Sequence, residues 1–296
     1  MCENALKSPP NICLCARFTS LTRSQHRITR TQRCSRLREA TEKRRRPRTP
    51  HTVCCTQGLR YLDLKHLCLA CNILPPKSST LPAEDQILLI LMKLRQNFVI
   101  VDLAKRFKMS PGQVSKTLKF WIDVIAEHTQ DLIPWLPRET RKATLLKAFK
   151  DSFPNTTCII DCTESVLQKA KNLDSRTESY SHYYAKAYGG KCSDRFITQN
   201  SGFLDHLRAG DEVTGDRGFT IRDLLEERNV GLITPQVTRT RRIANVRIHI
   251  ERAIRRLKVY KILSQTVPIH SVTKIDKILK ICAALVNLRG ELISSK

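Results

Sequence analysis

A chain of 296 residues with 41% hydrophobic content has room for one large or two ordinary domains and enough apolar mass for a core. Its formal net charge of +25 argues for a polyanionic partner, nucleic acid first and an anionic membrane second. No apolar run reaches the length of a membrane span, and the N-terminus, broken by polar residues and Pro9-Pro10, lacks the continuous apolar stretch of a secretory signal. A cytosolic or nuclear protein is expected, with its 12 cysteines as thiols.

The charge is uneven. Residues 1–60 hold 14 Lys and Arg against 3 Asp and Glu, while residues 61–140 hold 10 against 8. The first 60 residues are therefore read as a disordered basic N-terminal arm, rich in Arg, Ser, Thr and Pro and without sustained periodicity. Within it Lys43, Arg44, Arg45, Arg46 and Arg48 form a cluster that reads as a nuclear import signal or a phosphate-binding arm. Cys68-x-x-Cys71, with His66 nearby, is the one metal-like spacing. No second Cys/His pair follows at zinc-site distance, so free thiols are the plainer reading.

Residues 80–130 are expected to form an all-α unit. Ile87, Leu88, Leu91, Met92 and Leu94 make a wide apolar face, and Ile100, Leu103, Ala104 and Phe107 follow at i, i+3, i+4, i+7. Lys108-Met109 makes a turn. Ser110 then serves as N-cap, Pro111 as first helical residue and Gln113 as the far side of a capping box. The third helix buries Val114, Leu118, Trp121, Ile122 and Ile125. Helix, short turn and capped helix is the helix-turn-helix arrangement, which offers Gln113, Ser115, Lys116 and Lys119 to DNA. The alternative is an ordinary three-helix core with polar outer faces.

A helical connector over 131–154 leads into a second domain over 155–292. There an irregular segment over 165–195 and a helix over about 196–208 are expected, then strands over 211–215 and 231–234 flanking a helix over 220–229. A last helix over 273–288 sets Ile275, Ile278, Leu279, Cys282 and Leu285 on one face. Strands mixed with helices predict an α/β sheet with helical cover. Three acids stand out there. Asp161 closes an expected strand over 157–161. Asp216 follows a short strand before a glycine turn. Glu251 lies in a helix over 243–258, inside a basic stretch (239–261) with nine cations and one acid. Singly, each has an ordinary reading: a strand terminator, a turn residue, half of a surface ion pair. Together, two Asp at strand ends and a Glu on a helix suit hard divalent cations, which can clamp the attacking and leaving oxygens of phosphodiester displacement. Arg241, Arg242, Arg247 and Arg255 would hold the DNA backbone.

The ordered set "FPNTTCIIDCTE" (153–164), "AYGGKCSDRFI" (187–197), "GDRGF" (215–219), "RIANVRIHIERAIRRLK" (242–258) and "TKIDKILKICAALVNL" (273–288), behind the helix-turn-helix, resembles the PIF/Harbinger-type transposases and the DDE superfamily endonucleases derived from them. The resemblance implies an RNase H-like catalytic domain, nuclear location and DNA cleavage dependent on Mg²⁺ or Mn²⁺. It places the metal-binding catalytic triad on Asp161, Asp216 and Glu251. It also suggests a separate Myb-like DNA-binding protein as partner. Against the family pattern, roughly twenty residues, about two strands' worth, are missing after Tyr184. That hairpin would pair with the strand bearing Asp161, so its loss predicts an exposed strand edge there. The alternative function is a catalytically inactive, transposase-derived nuclear DNA-binding protein.

Overall fold

The computed structural model describes residues 11–17, 81–143, 145, 149–150, 153–166, 168, 187–189, 193–216, 218–234 and 240–288. The Lys43–Arg48 cluster and His66, Cys68 and Cys71 lie outside them.

The helical unit forms as its sequence dictates. Helices α1 (Ala83–Gln96), α2 (Ile100–Phe107) and α3 (Pro111–His128) follow one another through short turns. Asn97 and Lys108 end the first two helices in left-handed conformation, with φ of 55° and 52°. Lys108 sits in the turn that reverses the chain into α3. The expected capping box closes there: the Ser110 hydroxyl accepts from the Gln113 N–H at 3.2 Å, and Gln113 Oε1 accepts from the Ser110 N–H at 3.0 Å. Trp121 is fully buried, and its indole N–H donates to Gln86 Oε1 at 2.7 Å. Gln86 in turn donates to the Leu81 carbonyl. A buried amide is thereby satisfied at both ends.

This core does not stop at residue 130. Leu257 and Tyr260, then Ile262 and Leu263 of α8 (Lys261–Ser264), and the apolar face of α9 (Ile275–Asn287) join Leu89, Leu94, Leu103 and Trp121 in one cluster. The last helix buries Ile275, Ile278, Leu279, Cys282 and Leu285, the face its periodicity predicts. The N-terminal helices and the C-terminal helix thus share one interior, with the sheet domain entered and left between them.

The sheet has five strands in the order β3-β1-β2-β4-β5. They are β1 (Asn11–Arg17), β2 (Thr156–Val166), β3 (Ala187–Gly189), β4 (Glu212–Thr214) and β5 (Gly231–Ile233). β2, β4 and β5 run parallel; β1 is antiparallel to both β2 and β3. One face buries Cys158 and Ile160 with Val213, Phe203, Leu207, Phe219 and residues of α6 (Arg222–Glu226). The other packs Ile159 against Phe149, Phe153 and Ile250 of α7 (Thr240–Lys258). Helical cover on both faces of a sheet with a parallel half is the α/β, RNase H-like architecture expected.

Five expectations need correction. The strand expected over 157–161 runs from Thr156 to Val166, so Asp161 is in its middle rather than at its end. β2 outlasts its parallel neighbour because a second partner takes over: β4 pairs with it up to Ile159, and β1 pairs with it from Ile160 onward. The edge expected at β2 is accordingly covered. The strand that covers it comes from the arm read as disordered; Asn11–Arg17 stands between β2 and β3 where the missing hairpin would have been. The lack of alternation explains why the pattern does not reveal it: "NICLCAR" is a short continuous apolar run among Arg-rich neighbours, with no local partner. The segment 165–195, read as irregular, also contributes the end of β2 and all of β3. Last, the helix expected over 196–208 is only α5 (Asp194–Asn200), capped by Ser193, followed by a 3₁₀ turn at Leu204–His206.

A short helix, α4 (Arg138–Ala143), ties the connector to the sheet. Asp211, 1% exposed, lies 3.7 Å from Arg141 and 4.0 Å from Arg138, and accepts the Arg208 N–H at 3.0 Å. Arg141 also stacks over Trp135 at 5.0 Å. The root of β4 is anchored by these contacts.

Candidate active site and nucleic-acid face

Asp161 and Asp216 are brought level by strand register. Ile159 of β2 pairs with Thr214 of β4, and each aspartate lies two residues further along its own chain. Gly215 lies between them and packs against side chains of both segments: a Cβ there would stand 3.4 Å from Ile160 Cγ1 and 3.5 Å from Phe219 Cγ, ordinary contact distances. The Phe219 N–H bonds the Asp216 carbonyl at 3.1 Å, turning the chain away just past the acid. Side-chain alternation along β2 puts Asp161 on the same face as Ile159, the face covered by α7. Asp161 is half-buried, and its Oδ1 accepts the Cys162 N–H at 2.9 Å. Asp216 is half-buried too.

Glu251 comes to this side of the sheet on α7. Ile250, Ala253 and Leu257 turn inward, and Ile250 shares a small core with Ile159. Glu251, next to Ile250, is exposed on the flank of that packed stripe. An all-carboxylate donor set is what Mg²⁺ and Mn²⁺ prefer. The set is not closed, however: among the described residues no three His, Cys, Asp or Glu side chains gather closely enough to hold one ion. Asp161 is thus on β2, Asp216 two residues past the end of β4, and Glu251 on the helix α7.

His249 is a packing residue. Its ring lies 5.3 Å from that of Phe149, and burial, with a smaller contribution from the charge of Arg252, lowers its pKa. Its Nδ1 is buried with no hydrogen-bond partner among the described residues.

On the helical unit, Gln113, Lys116 and Lys119 are exposed and Ser115 is half-buried along the leading part of α3. The cap engages Gln113 Oε1, so that side chain is partly committed to holding the helix start. Two lysines escaped sequence reasoning. Lys274 and Lys277, at the start of α9, reach Asp123 of α3 at 2.5 and 2.6 Å, and Lys274 also donates to the Lys119 carbonyl at 3.3 Å. They extend the positive charge beside Lys119 onto a second helix. They lie more than 150 residues away in sequence, so no local pattern could have found them. Arg255 is exposed on α7, which also carries Arg241, Arg242 and Arg247.

Residues 79–131 match the helix-turn-helix of DDE superfamily endonuclease. Residues 182–287 match the DDE superfamily endonuclease model itself. The chain thus carries a segment similar to the DDE superfamily endonucleases behind a helix-turn-helix of the same superfamily. No curated protein and no solved structure matches it. The endonuclease match takes in Asp216 and Glu251 but begins after Asp161, which lies on the strand that β1 pairs with. Such a pair of domains implies DNA binding. No helix among the described residues is long and apolar enough to cross a membrane.

Proposed function

We propose that this protein binds DNA through α3 and the adjoining basic residues and cleaves phosphodiester bonds at the end of the parallel strand pair, using Asp161, Asp216 and Glu251. The observation that carries this reading is the level placement of Asp161 and Asp216, two residues beyond Ile159↔Thr214, on the sheet face covered by the helix that bears Glu251. Asp161 and Asp216 would hold a divalent ion, and Glu251 would complete its shell. When bound, such an ion polarises the phosphate and activates water or a 3′-hydroxyl. The chain's own residues do the rest. The half-buried carboxylates are fixed by β2 and β4. Lys116 and Lys119 hold the phosphate backbone, and Arg241, Arg242, Arg247 and Arg255 lie along the helix beside the acids, where a strand entering the site would pass. Nuclear location belongs to the same reading, with Lys43, Arg44, Arg45, Arg46 and Arg48 as the import signal. A fluorescent fusion that stays nuclear with all five changed to Ala would refute that part.

The test is nicking of supercoiled plasmid with Mg²⁺ or Mn²⁺. Asp216→Ala and Asp161→Asn are expected to lower the rate at least about 100-fold, while fluorescence anisotropy reports unchanged DNA affinity. Salt-sensitive DNA binding with no nicking by the native chain would instead favour the inactive DNA-binding protein.

A further inference from the structure

The register of β1 on β2 sets Cys15 directly opposite Cys162. Directly opposed residues of an antiparallel pair have Cα atoms about 4.5–5.5 Å apart, inside the range of about 4.4–6.8 Å that a disulfide bridges. Cys162 is half-buried and in no disulfide, and its N–H is the one that bonds Asp161. The neighbouring cysteines are not so placed. Cys13 stands opposite Glu164 on one side and Tyr188 on the other. Cys158 is buried and precedes the stretch of β2 that β1 covers.

We propose that Cys15 and Cys162 are a cross-strand thiol pair that closes as a disulfide, a covalent latch fastening the N-terminal strand to the strand that carries Asp161. The oxidant is a small-molecule disulfide of the glutathione type. One cysteine thiolate attacks it, forming a mixed disulfide and expelling one thiolate. The second cysteine thiolate then displaces the other, so two protein thiols lose two protons and two electrons and the reagent leaves as two thiols. β1 reaches its place from a distant part of the chain and is held there by backbone bonds to β2 and β3. A latch at Cys15 closes a loop that spans about half the molecule and removes the undocked state of the arm. The inference rests on strand register and not on the nuclease reading, so it stands or falls without any measurement of cleavage.

The experiment uses the full chain, incubated with oxidised and reduced glutathione, alkylated and mapped by mass spectrometry. The expected product is a Cys15–Cys162 peptide within one chain, a rise in melting temperature on the order of 5 °C, and reversal of both by dithiothreitol. Cys162→Ser and, independently, Cys15→Ser should abolish both effects, and Cys13→Ser should leave them unchanged. A Cys13–Cys162 link would mean that β1 sits two residues out of this register and would overturn the assignment. So would a disulfide-linked dimer as the main product, which would put a second copy's arm in the slot, or glutathionylation of Cys15 and Cys162 without a link between them.

Discussion

The helical unit and the sheet of this protein are built in opposite ways. Helices α1 to α3 are consecutive in sequence, each carries its own cap or turn signal, and the core between them takes its distant contribution from one stretch of chain, residues 257–288. The sheet draws its five strands from 11–17, 156–166, 187–189, 212–214 and 231–233, three of them only three residues long. Its stability depends on strands finding partners far along the chain, where loop closure costs entropy before any contact rewards it. The first construction tolerates loss of an outlying segment; the second fails when a central strand is withdrawn.

The sharpest way to expose that difference is to delete residues 1–17. β2 would lose its partner from Ile160 to Val166, and β3 its only neighbour among the described strands. Amides of 160–166 are expected to lose their exchange protection by more than about 100-fold, while those of α3 keep theirs. Equal protection in the two forms would show that β1 contributes nothing to the sheet.

Next in size is the centre of the helical core. Trp121→Ala removes a fully buried indole and leaves Gln86 Oε1 without its donor. A loss of about 3–5 kcal/mol is expected in urea denaturation. Because Trp121 shares its cluster with Ile278, Leu279 and Leu285, α9 should unfold in the same transition. A separate transition for α9 would divide what the structure joins.

What could be read in advance follows the same division. The α3 capping box, the buried face of α9 and the placement of β4 and β5 were written in local patterns, because caps, 3.6-residue periodicity and turn glycines act within a few residues. Asp161 was legible as a site residue, but its setting was not. The extension of β2 past Asp161 depends on Leu14 to Asn11 lying opposite Thr163 to Val166, a pairing that neither segment announces. The end of β2 is also held by remote groups: Ser165 donates its hydroxyl to the Leu263 carbonyl, and Val267 donates its N–H to the Val166 carbonyl at 2.7 Å. Long-range partners of this kind override local strand-ending signals. The same holds for Lys274 and Lys277, invisible as neighbours of α3 until the fold brings α9 across it.

A smaller effect is expected where the connector meets the sheet. Asp211 Oδ1 lies near two guanidinium groups but beyond hydrogen-bonding distance, and the backbone N–H of Arg208 satisfies the other oxygen. Asp211→Ala removes the carboxylate beside Arg141, itself nearly buried, and is expected to cost about 2 kcal/mol. Exchange should accelerate in β4 and β5 while α1 to α3 are unaffected, which locates the anchor on the sheet side.

The smallest effect tests the seam between the two ends of the helical unit. Burial by itself would raise the pKa of Asp123; hydrogen bonds and charge from Lys274 and Lys277 outweigh it and hold the carboxyl below its ordinary value of 3.8. A carboxyl whose folded pKa is depressed binds its proton more readily in the unfolded chain. The stabilisation is therefore complete well above pH 3.8 and is lost as the pH falls through the lower, folded value. All three side chains are substantially exposed, at 43, 26 and 49%, so solvent screening limits the worth of the cluster to less than about 1 kcal/mol. Asp123→Asn should thus lower stability slightly in urea titrations at pH 7 and low salt. The difference from the native chain should shrink in 1 M salt, where the Debye length is about 3 Å, and close as the pH falls to where Asp123 is protonated in both states. A difference that persists at both extremes would mean that Asp123 acts through packing. The lysines of α9 would then be free to serve DNA rather than to hold α3 in place.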